Sequence, residues 1–223
     1  MTLLNTLLFV VIPYIALTMF IMGHVGRYLI DRYGWTAKSS EFLEKKRLFI
    51  GITLFHWGIL LVLFGHVSGL LIPQRFLDLV GINAELHTFI AHYNGMATGL
   101  VACIGLGLLL YRRLSIRRIQ VTTTVTDYIV LAALLLVALA GMYNVLFGGY
   151  HILDTIAPWI RSIVFFTPEP ALMQGVPISY KIHIIAGLVL LAFSPFTRLV
   201  HIWSVPLGYF SRSWILFRRK IVV

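Results

Sequence analysis

Five long apolar stretches constrain this chain more than anything else in it. They run roughly Leu3–Ile30, Leu48–Ile72, Phe89–Tyr111, Val125–Phe147 and Tyr180–Trp203. Each exceeds the ~20 residues that a helix needs to cross ~30 Å of hydrocarbon. In lipid every backbone N–H and C=O must find its partner inside the segment, and nothing here alternates like a barrel strand. The expected fold is therefore all-α: an integral membrane bundle of five transmembrane helices, residues 1–223 forming one domain. Composition agrees, since only 12% of the residues are charged against about a quarter in a soluble domain. Met1 to Ile30 has no basic leader and is too long for a signal h-region, so it reads as a span.

The net charge is +10, but the charges sit at the ends of the apolar stretches. That pattern indicates membrane orientation and not a nucleic-acid partner. Fifteen of the eighteen Lys and Arg residues fall in three regions: Arg27 to Arg47, the turn Arg112 to Arg118, and Arg198 to Lys220. All three lie on one side of a five-span bundle. The positive-inside rule puts that side in the cytoplasm, with the N-terminus outside and the C-terminus inside. The tail 204–223 carries Arg212, Arg218, Arg219 and Lys220 beside Trp214 and Phe217. It reads as a cytoplasmic docking segment or as a basic anchor on anionic lipid.

Histidines inside the spans are the candidate chemistry, because an ionisable residue at membrane depth is costly. His56 and His66 lie ten residues apart on the second stretch, and His183 and His201 eighteen apart on the fifth. Helix direction pairs His56 with His201 at the inner side and His66 with His183 at the outer side. Two imidazoles on each of two facing helices suit two b-type haems, a diheme electron-transfer cytochrome b. The heights disagree: ten helical residues rise ~15 Å and eighteen ~27 Å, so a bend at Pro195 is needed. His24 at the inner side and His92 at the outer side are rival ligands. The other explanation is polar helix packing.

The remaining features are weaker. Gly51, Gly58 and Gly65 form a bare stripe, and Gly95-x-x-x-Gly99 is a small-residue packing pattern. Asp127, after a run of threonines, reads as an N-cap. Cys103 is one thiol in an apolar stretch, so there is no internal disulfide, and no Cys-x-x-Cys-His run attaches a c-type haem. Propionates need cations: Arg27, Arg112 and Arg198 are inner candidates, Arg75 and Lys181 outer ones. The segment Ile156–Phe166 is expected on the membrane surface.

Several stretches carry a resemblance over essentially the whole length. They are Phe196-Thr-Arg-Leu-Val-His-Ile-Trp-Ser-Val-Pro206, Leu54-Phe-His-Trp-Gly-Ile-Leu60, Gly65-His66, Arg27-Tyr28 and Lys181-Ile-His183. The chain resembles the gamma subunit of membrane-bound respiratory nitrate reductase. That resemblance implies a bacterial or archaeal plasma membrane as the setting, and haem ligation by His56, His66, His183 and His201. It implies quinol oxidation near the outer face around Gly65 and His66, and electron transfer inward to an iron–sulfur beta subunit and a molybdenum-containing alpha subunit that reduces nitrate. A family member used for comparison has a lysine at the outer entry to the third helix where this chain has His87; an imidazole at that outer mouth titrates near neutral pH and can take a proton, so His87 is a further quinol-site candidate. The alternatives are a diheme cytochrome b of a sulfite- or heterodisulfide-reductase-like complex and a haem-free membrane anchor.

Overall fold

The computed structural model describes residues 3–31, 34–37 and 39–204. Every regular element among the described residues is a helix, and none is a strand. Five helices are long and apolar enough to cross a membrane: α1 Leu3–Ile30, α2 Lys46–Leu71, α3 Ala84–Ser115, α4 Val125–Gly148 and α6 Ile178–Phe196. A short helix, α5 Ile156–Val164, lies between α4 and α6. Side chains of the spans such as Leu29, Phe64, Leu136 and Phe147 stand exposed. In water that would be a liability, but in lipid it is the favoured state, because lipid tails are as apolar as leucine.

The helices pack in the order α2, α3, α4, α6, α1. Glycine brings α2 and α3 together. A Cβ on Gly58 would stand 2.5 Å from the Ala102 backbone nitrogen, and one on Gly105 would collide with the Phe55 backbone. The same holds between α3 and α4, where a Cβ on Gly99 would lie 2.5 Å from Met142 Sδ. The glycine stripe on α2 therefore divides. Gly51 and Gly58 are packing residues, whereas Gly65 has open space before it.

The loop after α4 does not simply lie on the membrane, as its sequence suggests. Ile156, Trp159 and Ile163 of α5 are buried with Phe9, Met173 and Val176 in one cluster. Pro13 explains the contact. It has no N–H to give to the carbonyl of Phe9 one turn earlier, and α1 widens into a π turn over Leu7–Val11. Trp159 Nε1 donates to that orphaned Phe9 carbonyl at 2.9 Å. The indole thus fastens α5 to the first span while filling its core with an aromatic ring.

The other end is polar. Arg112, 1% exposed, donates through Nε to Glu44 Oε2 at 2.8 Å, through Nη1 to Ser40 Oγ at 3.0 Å, and through Nη2 to the carbonyls of Ser40 and Glu44. Glu44 also accepts from the backbone N–H groups of Arg47 and Leu48 in the first turn of α2. Asp127 is not the N-cap of α4. Thr124 is, and Asp127 closes a capping box from the third position. Its carboxylate also receives Arg198 through Nε and through Nη2, the latter at 3.0 Å, with Arg113 at 3.5 Å.

Candidate functional site

The fifth span does not continue to His201. The α-helix ends at Phe193, a 3-10 turn covers Ser194–Phe196, and Thr197 is extended at φ −127° and ψ −177°. A second 3-10 segment, Arg198–Ile202, then carries His201. This closes the height mismatch. From His183 to the helix end at Phe193 is ten residues, the same as from His56 to His66. Both rise ~15 Å. The remaining residues turn around Pro195 and bring His201 back to the level of His56. Arg27 holds this break to α1, donating to the Pro195 carbonyl at 3.1 Å and to the Gly34 carbonyl at 2.8 Å.

The result is two facing imidazole pairs. The ring centres of His56 and His201 are 5.9 Å apart, and those of His66 and His183 are 6.2 Å apart. Two imidazoles on opposite sides of one metal ion have ring centres about 6 Å apart, given imidazole–metal bonds of about 2 Å and about 1 Å from each nitrogen to its ring centre. In all four rings Nδ1 is directed at a backbone carbonyl. His56 meets Ile52 at 2.8 Å, His66 meets Val62 at 2.8 Å, His183 meets Val137 at 3.0 Å and His201 meets Arg198 at 2.5 Å. A carbonyl accepts, so each Nδ1 carries the proton and each Nε2 keeps its lone pair. That is the tautomer of an orientated metal ligand.

Rival histidines behave differently. His24 Nδ1 lies 3.2 Å from Trp35 Nε1, an indole nitrogen that can only donate. His24 therefore carries its proton on Nε2, the tautomer opposite to that of the four paired histidines. That nitrogen is buried without a partner. The ring packs against Phe20, Trp35 and Trp203. His92 is exposed beside Tyr93 and does not line the cavity described next.

A cavity of about 580 Å³ opens between the spans at the His66–His183 end. That volume lies in the range of small-molecule and cofactor sites. Gly65, His66, His87 and His183 all line it. A Cβ on Gly141 would stand 2.9 Å from His183 Cε1, so the ring occupies the space that this glycine leaves. His87 stands at the entry to α3, as expected. It lies in the first turn of α3, buried, after Asn83, whose side chain caps the helix by accepting from Leu86 N at 2.8 Å. The amide of Gln74 donates to Asp78 Oδ1 at 2.9 Å and to the Ile82 carbonyl at 2.8 Å. Its oxygen is left to accept from His87 Nδ1 at 2.8 Å. His87 Nε2 is then bare, 3.2 Å from where a Cβ on Gly69 would stand.

A profile of the nitrate reductase gamma subunit family matches residues 5–220. The chain belongs to that family. It is 45% identical to the nitrate reductase gamma chain of Bacillus subtilis (strain 168), over 94% of this chain and 96% of that one. It is 34% identical to the respiratory nitrate reductase 1 gamma chain of Escherichia coli (strain K12), over 99% and 100%. It is also 35% identical to the nitrate reductase-like protein NarX of Mycobacterium tuberculosis (strain ATCC 25618 / H37Rv), over 97% of this chain and 34% of that longer one. This gamma subunit is thus a multi-pass membrane protein and one component of an oxidoreductase complex. These relatives are bacterial, and nothing supports an archaeal setting.

Other expectations for this gamma subunit fare unevenly. Arg112 is bonded to Glu44 and Ser40, which makes it a clamp on the loop before α2. Arg198 is bound to Asp127, and Lys181 Nζ reaches the Gln174 carbonyl at 3.3 Å. The tail beyond Ser204, with its expected docking role, lies outside the described residues. Sequence reasoning missed Gln74, Gly141 and Asn144, which also lines the cavity. Asn144 could have been noticed as a lone amide in the apolar stretch 125–148.

Proposed function

We propose that each histidine pair ligates one b-type haem, His56 and His201 the inner and His66 and His183 the outer. Quinol is oxidised beside the outer haem. The observation that carries this is the shared tautomer: four imidazoles, two facing pairs, every Nδ1–H on a backbone carbonyl and every Nε2 left bare. Among the described residues no cluster of three or more His, Cys, Asp or Glu side chains suits a metal ion. A two-histidine site therefore needs its other ligands from a non-protein group, which a tetrapyrrole supplies. Bound there, haem provides one-electron redox chemistry.

The protein orients and excludes. Val137 and Gly141 set the plane of His183, and Val62 sets that of His66. His87, fixed by Gln74, presents an acceptor nitrogen to the cavity and takes a proton from the quinol hydroxyl. Of the named inner cations, Arg198 lies on the His201 segment and Arg27 is bonded to the Pro195 carbonyl just before it, so these two stand nearest the carboxylates of the inner haem. With the Lys- and Arg-rich side in the cytoplasm, protons leave outside while electrons move inward to an iron–sulfur beta subunit and a molybdenum alpha subunit. Charge then crosses the membrane without a pump.

The test is haem stoichiometry and quinol response in the purified membrane complex. A pyridine haemochrome assay should give two b-type haems per gamma subunit, and one or none ends the reading. His87→Ala should slow haem reduction by a soluble quinol while dithionite still reduces both haems.

A further inference from the structure

Among the described residues, two buried side-chain polar atoms have no hydrogen-bond partner: His24 Nε2 and Asn144 Oδ1. The second opens into chemistry. Asn144 is 6% exposed. It begins the π turn Asn144–Gly148 that ends α4, a wide turn of the kind often found at functional sites. Its amide is orientated by the chain, since Nδ2 lies 3.4 Å from the Ser179 carbonyl. Turning the amide over would set two oxygens against each other. Its backbone carbonyl accepts from Tyr180 Oη at 3.3 Å, which holds the turn against α6. Asn144 lines the same cavity as Gly65, His66, His87 and His183.

An amide oxygen accepts and cannot donate. Haem does not satisfy it, because the oxygens of haem are carboxylates, also acceptors, and the rest of its edge is hydrocarbon. His87 Nε2 is a second acceptor on the same cavity. A ligand that reaches these two atoms must therefore bring hydroxyl donors. A quinol has two O–H groups. The quinone it becomes has two C=O groups and no donor.

We propose that Asn144 Oδ1 receives a hydroxyl of the quinol and makes the cavity prefer the reduced substrate over its oxidised product. The inference rests on the outer cavity being the quinol site. Oxidation removes the donor, leaves Oδ1 facing a carbonyl, and so favours release.

The test compares quinol KM, kcat and inhibition by added quinone in the intact membrane complex. Asn144→Leu keeps the number and branching of the side-chain atoms and removes the acceptor. It should raise KM for a soluble quinol about tenfold, the loss of one well-placed hydrogen bond. Quinone inhibition should stay as in wild type, with both haems reducible by dithionite. Asn144→Ser supplies a hydroxyl that also donates, so it should tighten quinone inhibition. An unchanged KM in Asn144→Leu, or equal weakening of quinol and quinone, overturns the proposal. If Asn144→Leu loses outer-haem absorbance, Asn144→Ser decides, and quinone inhibition no tighter than in wild type overturns the proposal. His87→Ala separates the two levels. If it slows quinol oxidation while Asn144→Leu does not, this inference fails alone. If neither variant changes quinol kinetics, the outer-site reading fails with it.

Discussion

At the end of the bundle that holds His66 and His183, three helices widen into π turns, over Leu7–Val11, Val67–Leu71 and Asn144–Gly148. At the other end the chain tightens into 3-10 turns and is tied by ion pairs. The wide turns go with a cavity, and their Gly69, Leu70, Asn144 and Val145 are among its lining. The tight turns go with a clamp. His66 and His183 are carried by regular helix, so their height follows from helical rise. His201 is carried by a broken segment whose height is set by side chains from elsewhere, chiefly Arg27 and the Arg198–Asp127 pair. One site is thus built by secondary structure and the other by tertiary polar contacts.

The sharpest way to break this comparison is to remove ligands. His66→Ala and His183→Ala should each abolish the same haem component and leave the other. His56→Ala and His201→Ala should do the converse. Reduced-minus-oxidised spectra of the four variants check it, and loss of one shared component from His56 and His183 variants would sink the pairing.

A smaller effect should expose the tertiary support of the inner site. Asp127→Ala opens the capping box and removes the carboxylate that Arg198 and Arg113 share. Losing a cap and that ion pair should destabilise the bundle by about 1–2 kcal/mol. Thermal melts in detergent should show the inner component lost before the outer one. Equal loss of both would mean that the two ends are not independently supported.

The smallest effect is a pH dependence at the same end. Burial pushes the Glu44 carboxyl up, but the N–H groups of Arg47 and Leu48 and the Arg112 guanidinium outweigh it and hold it below the usual value. A depressed folded value means that stability is present above the unfolded pKa of about 4.3 and fades as the pH falls through the lower folded value. Acid titration of the melting temperature should therefore fall more steeply in wild type than in Glu44→Gln. Parallel curves would remove Glu44 from the clamp.

The spans were legible in the sequence because lipid demands long apolar runs, and α1 begins and ends where those runs do. The bounds of α3 were not. Asn83 caps it early, and Glu85, Arg112 and Arg113 lie within it beyond the stretch that hydropathy marks. The histidine pairing was legible from helix direction, and Pro195 announced a bend. The depth of the break was not legible, because it depends on Thr197 leaving the helix with its Oγ1 accepting from Leu199 N at 3.2 Å. Nor was the Trp159 bond to Phe9, which joins residues 150 positions apart. Long-range partners of this kind leave no local pattern.

The ten-residue separation of His56 and His66 has an electrical meaning. About 15 Å of helical rise is half of a hydrocarbon layer ~30 Å thick. An electron passing between the two proposed haem positions therefore traverses about half of the membrane voltage. A full crossing is worth about 2.3 kcal/mol per charge per 100 mV, so this half step is worth about 1 kcal/mol. For the inward electron direction proposed above, the energised membrane acts as a back-pressure on the subunit, and the partition of an electron between its two ends becomes a gauge of the voltage across it.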